Sequence, residues 1–161
     1  MNWVFDLDNT IYNTNNINYL SIKTDYYLRC LLNNLDGKKY IFTNATLGHA
    51  KMVLNRLGIL DIFDDIIDRD IMSSLKPHRT AFDYFINNTN INTNNKTIFF
   101  EDNIDNLIMA KSKYNWITVL IAPKMLRNDR NISNYINYIF KDIHTAVENF
   151  SFNPGQCYTL K

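Results

Sequence analysis

Val4-Phe5-Asp6-Leu7-Asp8-Asn9-Thr10 is the stretch from which the fold is read. Trp3, Val4 and Phe5 are large and apolar and predict a short buried strand. Two aspartates follow where that strand must stop, and Asn9 and Thr10 supply turn chemistry behind them. Two acids at a strand end occupy the place where open α/β sheets hold ligands. Taken alone, the stretch reads equally as a strand closing in a solvated, Asp-rich turn. Its meaning depends on what lies downstream.

Working outward, apolar positions from Tyr19 to Leu32 recur at helical spacing and predict one helix over 18–34, with Gly37 beyond its end. A second strand is expected from Lys39 to Phe42, ending in Thr43-Asn44-Ala45. Leu47, Ala50, Val53, Leu54 and Leu57 share one face of a helix over 47–57 that Gly58 stops. Ile66-Ile67 reads as a short third strand, and Pro77 as the first turn of a helix carrying Ala81, Phe82, Phe85 and Ile86. The Asn/Thr run 87–95 reads as a surface connection. Thr97 to Phe100 is the next strand, with Glu101-Asp102-Asn103 at its end, followed by a helix over 104–113 and a strand from Trp116 to Ile121. Residues 124–134 read as loop, Tyr138 to Phe140 as a last short strand, and Ile143 to Phe150 as a last helix. Alternating strands and helices predict a doubly wound parallel sheet with right-handed crossovers, an α/β fold. The expected organisation is one unit over 1–150 and a frayed or draped tail over 151–161, with no internal repeat.

Composition bounds the function. The chain has 161 residues, 46% hydrophobic and 20% charged, ordinary values for a globular domain with a sizeable core. A net charge of +1 gives no support to nucleic-acid binding, although a local basic patch stays open. Abundant Asn, Ile, Tyr and Lys point to an AT-rich coding genome, as in some large DNA viruses and protists. Cys30 and Cys157 stand in no metal-type spacing and are expected as two reduced thiols. No signal-like or membrane-length apolar run is present, so the expected location is cytoplasmic, in the host cytoplasm if the source is viral.

In such a sheet the polar clusters at Asp6 and Asp8, at Thr43 and Asn44, and at Glu101 and Asp102 converge on one crevice, with Lys76 at a helix start facing the same edge. Four crowded acids repel unless a cation holds them, and oxygen-only ligands favour Mg²⁺.

These stretches resemble, in order, the four motifs of the haloacid dehalogenase (HAD) superfamily, which is mostly phosphatases. Asp6-Leu7-Asp8-Asn9-Thr10 looks like motif one, Phe42-Thr43-Asn44-Ala45 like motif two, Lys76-Pro77 like motif three, and Phe99-Phe100-Glu101-Asp102-Asn103 like motif four. Ile11-Tyr12, Thr43-Asn44-Ala45, His49-Ala50, Leu57-Gly58-Ile59 and Phe63-Asp64 further resemble the pyrimidine 5′-nucleotidase branch. The resemblance implies a HAD-type Rossmann-like core and a Mg²⁺-dependent phosphomonoester hydrolase. Asp6 would be the nucleophile, forming an aspartyl-phosphate. Asp8 would be the general acid and base, an acid that a dehalogenase does not need. Thr43, with the Asn44 backbone amide, would bind phosphoryl oxygens, and Lys76 would neutralise the transferring group and Asp6. Asp6, Asp102 and the Asp8 carbonyl would ligate Mg²⁺, with Glu101 acting through a water. Asp105 and Asn106 are at most supporting residues, and His49 reads as packing on its helix; His78 and His144 have no evident partner.

The chain departs from these relatives in size. Asp8 to Thr43 leaves room for a loop and one helix, not for an inserted cap domain. The interval from Lys76 to Glu101 is equally short. The expectation is therefore a capless enzyme, a monomer or homodimer. Its substrate is a nucleotide, or a macromolecular phosphoester such as a phosphoprotein or nucleic-acid end. A HAD-fold binding protein without catalysis is the reading of a different class.

Overall fold

Strand β1, Asn2–Phe5, sorts the core by the alternation of its side chains. Trp3 and Phe5 enter one apolar cluster and Val4 enters the other. The same alternation runs through β2 (Lys38–Phe42), β4 (Thr97–Glu101) and β5 (Ile117–Ile121). Ile41, Ile98, Phe100, Val119 and Ile121 face the first cluster, whereas Tyr40, Phe42, Phe99 and Leu120 face the second. With β3 (Asp65–Ile67) and β6 (Tyr138–Phe140), these strands form a six-stranded sheet in the order β3-β2-β1-β4-β5-β6, every pair parallel. Helices α1 (Tyr26–Asn33), α2 (Leu47–Leu57) and α5 (Ile143–Phe150) cover the first face. Helices α3 (Arg79–Asn88) and α4 (Ile104–Tyr114) cover the second. Burial on both faces is why the central strands read as nearly continuous apolar runs. The computed structural model describes residues 1–14, 19–122, 134–151 and 157–158.

The chain steps outward from β1 through β2 to β3, then returns to lay β4 on the other side of β1. The direction of winding reverses between β1 and β4, which opens a crevice at their carboxyl ends.

The expected α/β fold is the one found, and α2 and α5 have the predicted bounds. Gly58 stops α2 with φ 72°, where any added Cβ would lie 2.7 Å from the Thr24 methyl. Four expectations are corrected. The helix predicted over 18–34 is a single 3₁₀ turn at Tyr19–Ser21 and then α1 from Tyr26. Asp25 resets the helix start, because its carboxylate accepts from the Leu28 amide at 2.8 Å while its own N–H goes to the Leu57 carbonyl. Pro77 lies before α3 rather than in its first turn; the Lys76-Pro77 bond is cis, and His78 caps the helix by accepting from the Thr80 amide. Cys30 and Cys157 are not two thiols but a disulfide, with Cα atoms 5.7 Å apart. Cys157 is fully buried against the first cluster, a tertiary packing that a sequence separation of 127 hides from sequence spacing. His144, which looked unpartnered, lies 2.7 Å from Asp25. Nearly all of the expected loop 124–134, and most of the tail, lie outside the described residues.

Candidate active site

Asp6 is the first residue past β1, and its amide still pairs with the Phe100 carbonyl at 2.9 Å, so its position is fixed by the sheet. The chain then turns sharply. The Leu7 carbonyl accepts from the Thr10 and Ile11 amides, and Asn9 takes φ 60°, a left-handed conformation that asparagine tolerates. The turn sends Asp6 and Asp8 to different partners.

Asp6 meets Lys76, whose side chain is fully buried. The Lys76 ammonium donates to Asp6 Oδ1 at 2.8 Å, to Glu101 Oε2 at 2.8 Å and to the Phe42 carbonyl at 2.6 Å, which occupies all three of its hydrogens. The rings of Phe42 and Phe99 lie 5.0 and 5.3 Å from it. Asn44 holds this lysine in place: its side-chain amide donates to the Lys76 carbonyl at 2.9 Å and accepts from the Lys76 amide at 3.0 Å. Sequence reading gave Asn44 only a backbone part. The reciprocal pair could not be seen without knowing that the residues after β2 meet those before α3.

Glu101, at the end of β4, is also fully engaged. Oε2 accepts from Lys76 and from Asn106 Nδ2, and Oε1 accepts from the Asp102 and Asn103 amides, each at 3.1 Å. Asn106 thus supports Glu101, whereas Asp105 is exposed. Thr43 is buried at the end of β2; its hydroxyl oxygen accepts from the Ala45 amide at 3.0 Å, and its O–H hydrogen has no acceptor among the described residues.

Asp8 is only partly buried and lies on the other wall. Its Oδ1 accepts a short hydrogen bond from the Tyr12 hydroxyl and lies 2.9 Å from His49 Nε2. His49 Nε2 is also 2.9 Å from the Tyr12 oxygen. Neither residue was given a polar role in sequence: Tyr12 entered only through the Ile11-Tyr12 likeness, and His49 read as helix packing. The available signal was the motif likeness, since Ile11-Tyr12 follows the first acids and His49-Ala50 follows Thr43-Asn44-Ala45.

The electrostatics follow from this crowding. Burial, with Glu101 close by, raises the Asp6 carboxyl to about 7 despite Lys76. Burial likewise raises Glu101 and Asp102 above the ordinary carboxylate range. Burial alone would lower Lys76, but Asp6 and Glu101 outweigh it and hold the ammonium above its usual value. Burial, then Asp8, raises Tyr12, which stays a neutral donor. Asp6, Glu101 and Asp102 each offer an oxygen, all within 4.8 Å of one another. Three acids that resist ionising together, with an all-oxygen donor set, fit a hard dication. Asp6 and Asp102 have oxygens to give it. Both Glu101 oxygens already accept two donors each, so an ion there would meet Glu101 through a water.

The crevice above these groups holds about 570 Å³. Asp6, Asp8, Thr43, Asn44, Glu101 and Asp102 line it, together with Tyr19, His49 and Arg69. The sheet edge thus unites all the sequence-predicted residues, with Lys76 directly beneath.

The profile of the haloacid dehalogenase-like hydrolases matches residues 26–112, more than half of the chain. The chain belongs to that family. The matched stretch contains Thr43, Lys76, Glu101 and Asp102; Asp6 and Asp8 precede it and join the site through β1. Solved HAD structures share the fold. The magnesium-bound HAD hydrolase YfnB from Bacillus subtilis is 18% identical, with a TM-score of 0.64 over 77% of this chain and 53% of that one. L-2-haloacid dehalogenase from Xanthobacter autotrophicus is 11% identical, with a TM-score of 0.66 over 91% of this chain and 96% of that one. A predicted phosphoglycolate phosphatase from Haemophilus somnus 129pt is 19% identical, with a TM-score of 0.58 over 76% and 53%. This HAD chain spans about half the length of YfnB. Among the described residues, no helix is long and apolar enough to cross a membrane.

Proposed function

We propose that this HAD hydrolase is a phosphatase that cleaves phosphomonoesters through an aspartyl-phosphate on Asp6. The observation that carries the reading is the Lys76 ammonium, which spends one hydrogen on Asp6 Oδ1 and leaves Oδ2 outside its three contacts. Oδ2 attacks phosphorus as the ester P–O bond breaks, and Asp8 gives its proton to the departing oxygen. Asp8 then takes a proton from the water that attacks the aspartyl-phosphate, releasing inorganic phosphate and restoring Asp6. The Thr43 hydroxyl, with its uncommitted hydrogen, and the Asn44 backbone amide bind phosphoryl oxygens. Lys76 holds and neutralises Asp6, and its own contact with the substrate requires release of one protein acceptor. Asp6, Asp102 and the Asp8 carbonyl are the residues to hold Mg²⁺, with Glu101 behind a water. When bound, the ion neutralises the phosphoryl group and orients it against Asp6. A donor-supported Asp8 favours phosphatase over dehalogenase chemistry, which has no leaving oxygen to protonate.

Two substrate classes stay within this reading. The motif likeness to pyrimidine 5′-nucleotidases favours a nucleotide. The open crevice favours a macromolecular phosphoester, because the one helix described between Asp8 and Thr43, α1, packs its Tyr27, Leu28, Leu31 and Leu32 into the core instead of over the site. The test is hydrolysis of p-nitrophenyl phosphate with Mg²⁺, its loss on chelation, and its loss in Asp6→Asn with the fold retained. The nearly isosteric amide should cost several orders of magnitude, each about 1.4 kcal/mol of barrier. Turnover that survives chelation removes the metal from the reading, and near-normal turnover in Asp6→Asn moves the chemistry elsewhere.

A further inference from the structure

Tyr12 Oη, His49 Nε2 and Asp8 Oδ1 form a closed triangle on the crevice wall. Asp8 Oδ2 stands outside it, with no partner among the described residues. We propose that Tyr12 and His49 are positioning residues that fix which oxygen of Asp8 carries the catalytic proton and where that oxygen points. The inference rests on the assignment of Asp8 as general acid and adds two residues to it.

The donor count makes the case. Tyr12 has one hydrogen, and the short contact to Asp8 Oδ1 uses it. His49 Nε2 then faces two oxygens that offer it nothing, the Asp8 carboxylate and the back of the Tyr12 hydroxyl. Only a ring with hydrogen on Nε2 turns both contacts into attractions. Oδ1 thus receives two donors and has no room for a hydrogen of its own. A proton taken up by Asp8 goes to Oδ2, the oxygen left for the substrate's departing atom. The two donors also pin the carboxyl plane, which a half-exposed aspartate after a turn would otherwise lose to rotation.

The supports are themselves anchored. His49 sits in the first turn of α2, its amide donating to the Thr46 cap at 3.3 Å, and Tyr19 packs edge-on against its ring at 5.2 Å. Tyr12 is buried, and its residue bridges back to Asp8 along the main chain. A tyrosine and a histidine serving only as packing would not need both polar atoms on the same carboxylate oxygen.

The experiment compares kcat/KM for an alkyl phosphate, whose leaving oxygen needs a proton, with that for p-nitrophenyl phosphate, whose leaving group departs as a stable anion. It uses the full chain with Mg²⁺, in wild type, Asp8→Asn, Tyr12→Phe, His49→Ala and His49→Gln. Asp8→Asn sets the benchmark, a fall in the alkyl-to-aryl ratio. Tyr12→Phe keeps the buried ring, and together with His49→Ala it should lower that ratio at least tenfold, within the range general acids supply. His49→Gln, which restores an N–H near Asp8, should recover part of it. If the ratio falls in Asp8→Asn and stays level in Tyr12→Phe and His49→Ala, the inference fails and the phosphatase reading stands. If both esters lose equally in the two variants, the residues are structural only and the inference also fails. If wild type cleaves neither ester, or Asp8→Asn leaves the ratio unchanged, the assignment of Asp8 fails and takes the inference with it. Circular dichroism and thermal melts of each variant identify misfolding; were Tyr12→Phe or His49→Ala to misfold, the Gln variant decides by the same ratio.

Discussion

Lys76 is the residue on which the site depends. A buried ammonium is costly to desolvate, and it is tolerated here because two carboxylates and a carbonyl take its three hydrogens. Lys76→Met fills a similar volume but leaves Asp6 and Glu101 buried without their cation. We expect a stability loss of about 3–5 kcal/mol in urea unfolding at neutral pH. The loss should shrink in acid as the two carboxyls take up protons. A loss below about 1 kcal/mol, the size of an exposed pair, would mean that the buried network contributes little. At this scale the sequence spoke through residue type: Asp6, Asp8, Thr43, Glu101 and Asp102 stood where strands end, and Lys76 just before a helix that faces the same edge. It was silent on what Tyr12, His49 and the Asn44 side chain touch. A hydrogen bond between side chains of residues 8 and 49 depends on two backbone directions that no local pattern encodes.

At the scale of elements, α1 shows how one residue moves a boundary. Helical spacing runs back through Tyr19, yet the helix starts at Tyr26 because Asp25 caps it and pairs with His144 on α5. Burial raises the Asp25 carboxyl, but the His144 hydrogen bond and the Leu28 amide outweigh it and hold the group below its ordinary value. A carboxyl lowered in the folded state stabilises above its unfolded value, about 3.9, and the gain is lost as pH falls through the folded one. Asp25→Asn keeps a competent cap and removes the charge. The variant should therefore be less stable than wild type at pH 7, and the gap should close towards pH 3. Urea melts at both values check this, and a gap of constant size would assign the cost to packing alone. The register of α2 was legible from Leu47 to Leu57 because its apolar face and its Gly58 stop agree, and the structure adds a Thr46 cap.

Across the whole molecule, the crevice lies open at the carboxyl edge of the sheet, and α1 belongs to the core beneath instead of to a lid. Binding energy from the remote parts of a substrate must then come from the crevice rim, from residues such as Tyr19 and Arg69, or from another subunit. A monomer should bind small phosphomonoesters weakly and discriminate poorly between pyrimidine and purine nucleotides, whereas a dimer that buries the rim can regain selectivity. Analytical ultracentrifugation beside steady-state kinetics tests this; a monomer with a low KM for one nucleotide would restore the plain nucleotidase reading. The sequence by itself determined the alternation of strands and helices, the strand ends that carry acids, and the short intervals that leave no space for a cap. These are local properties, set by hydrophobic period, turn chemistry and chain length. Only the tertiary structure decided that Cys30 meets Cys157, that Asn44 clamps Lys76, and that Asp8 turns away from Asp6 towards Tyr12 and His49. Each of these is a contact between residues brought together by sheet order or a turn, and its geometry exists only once the parallel strands have fixed where their ends converge.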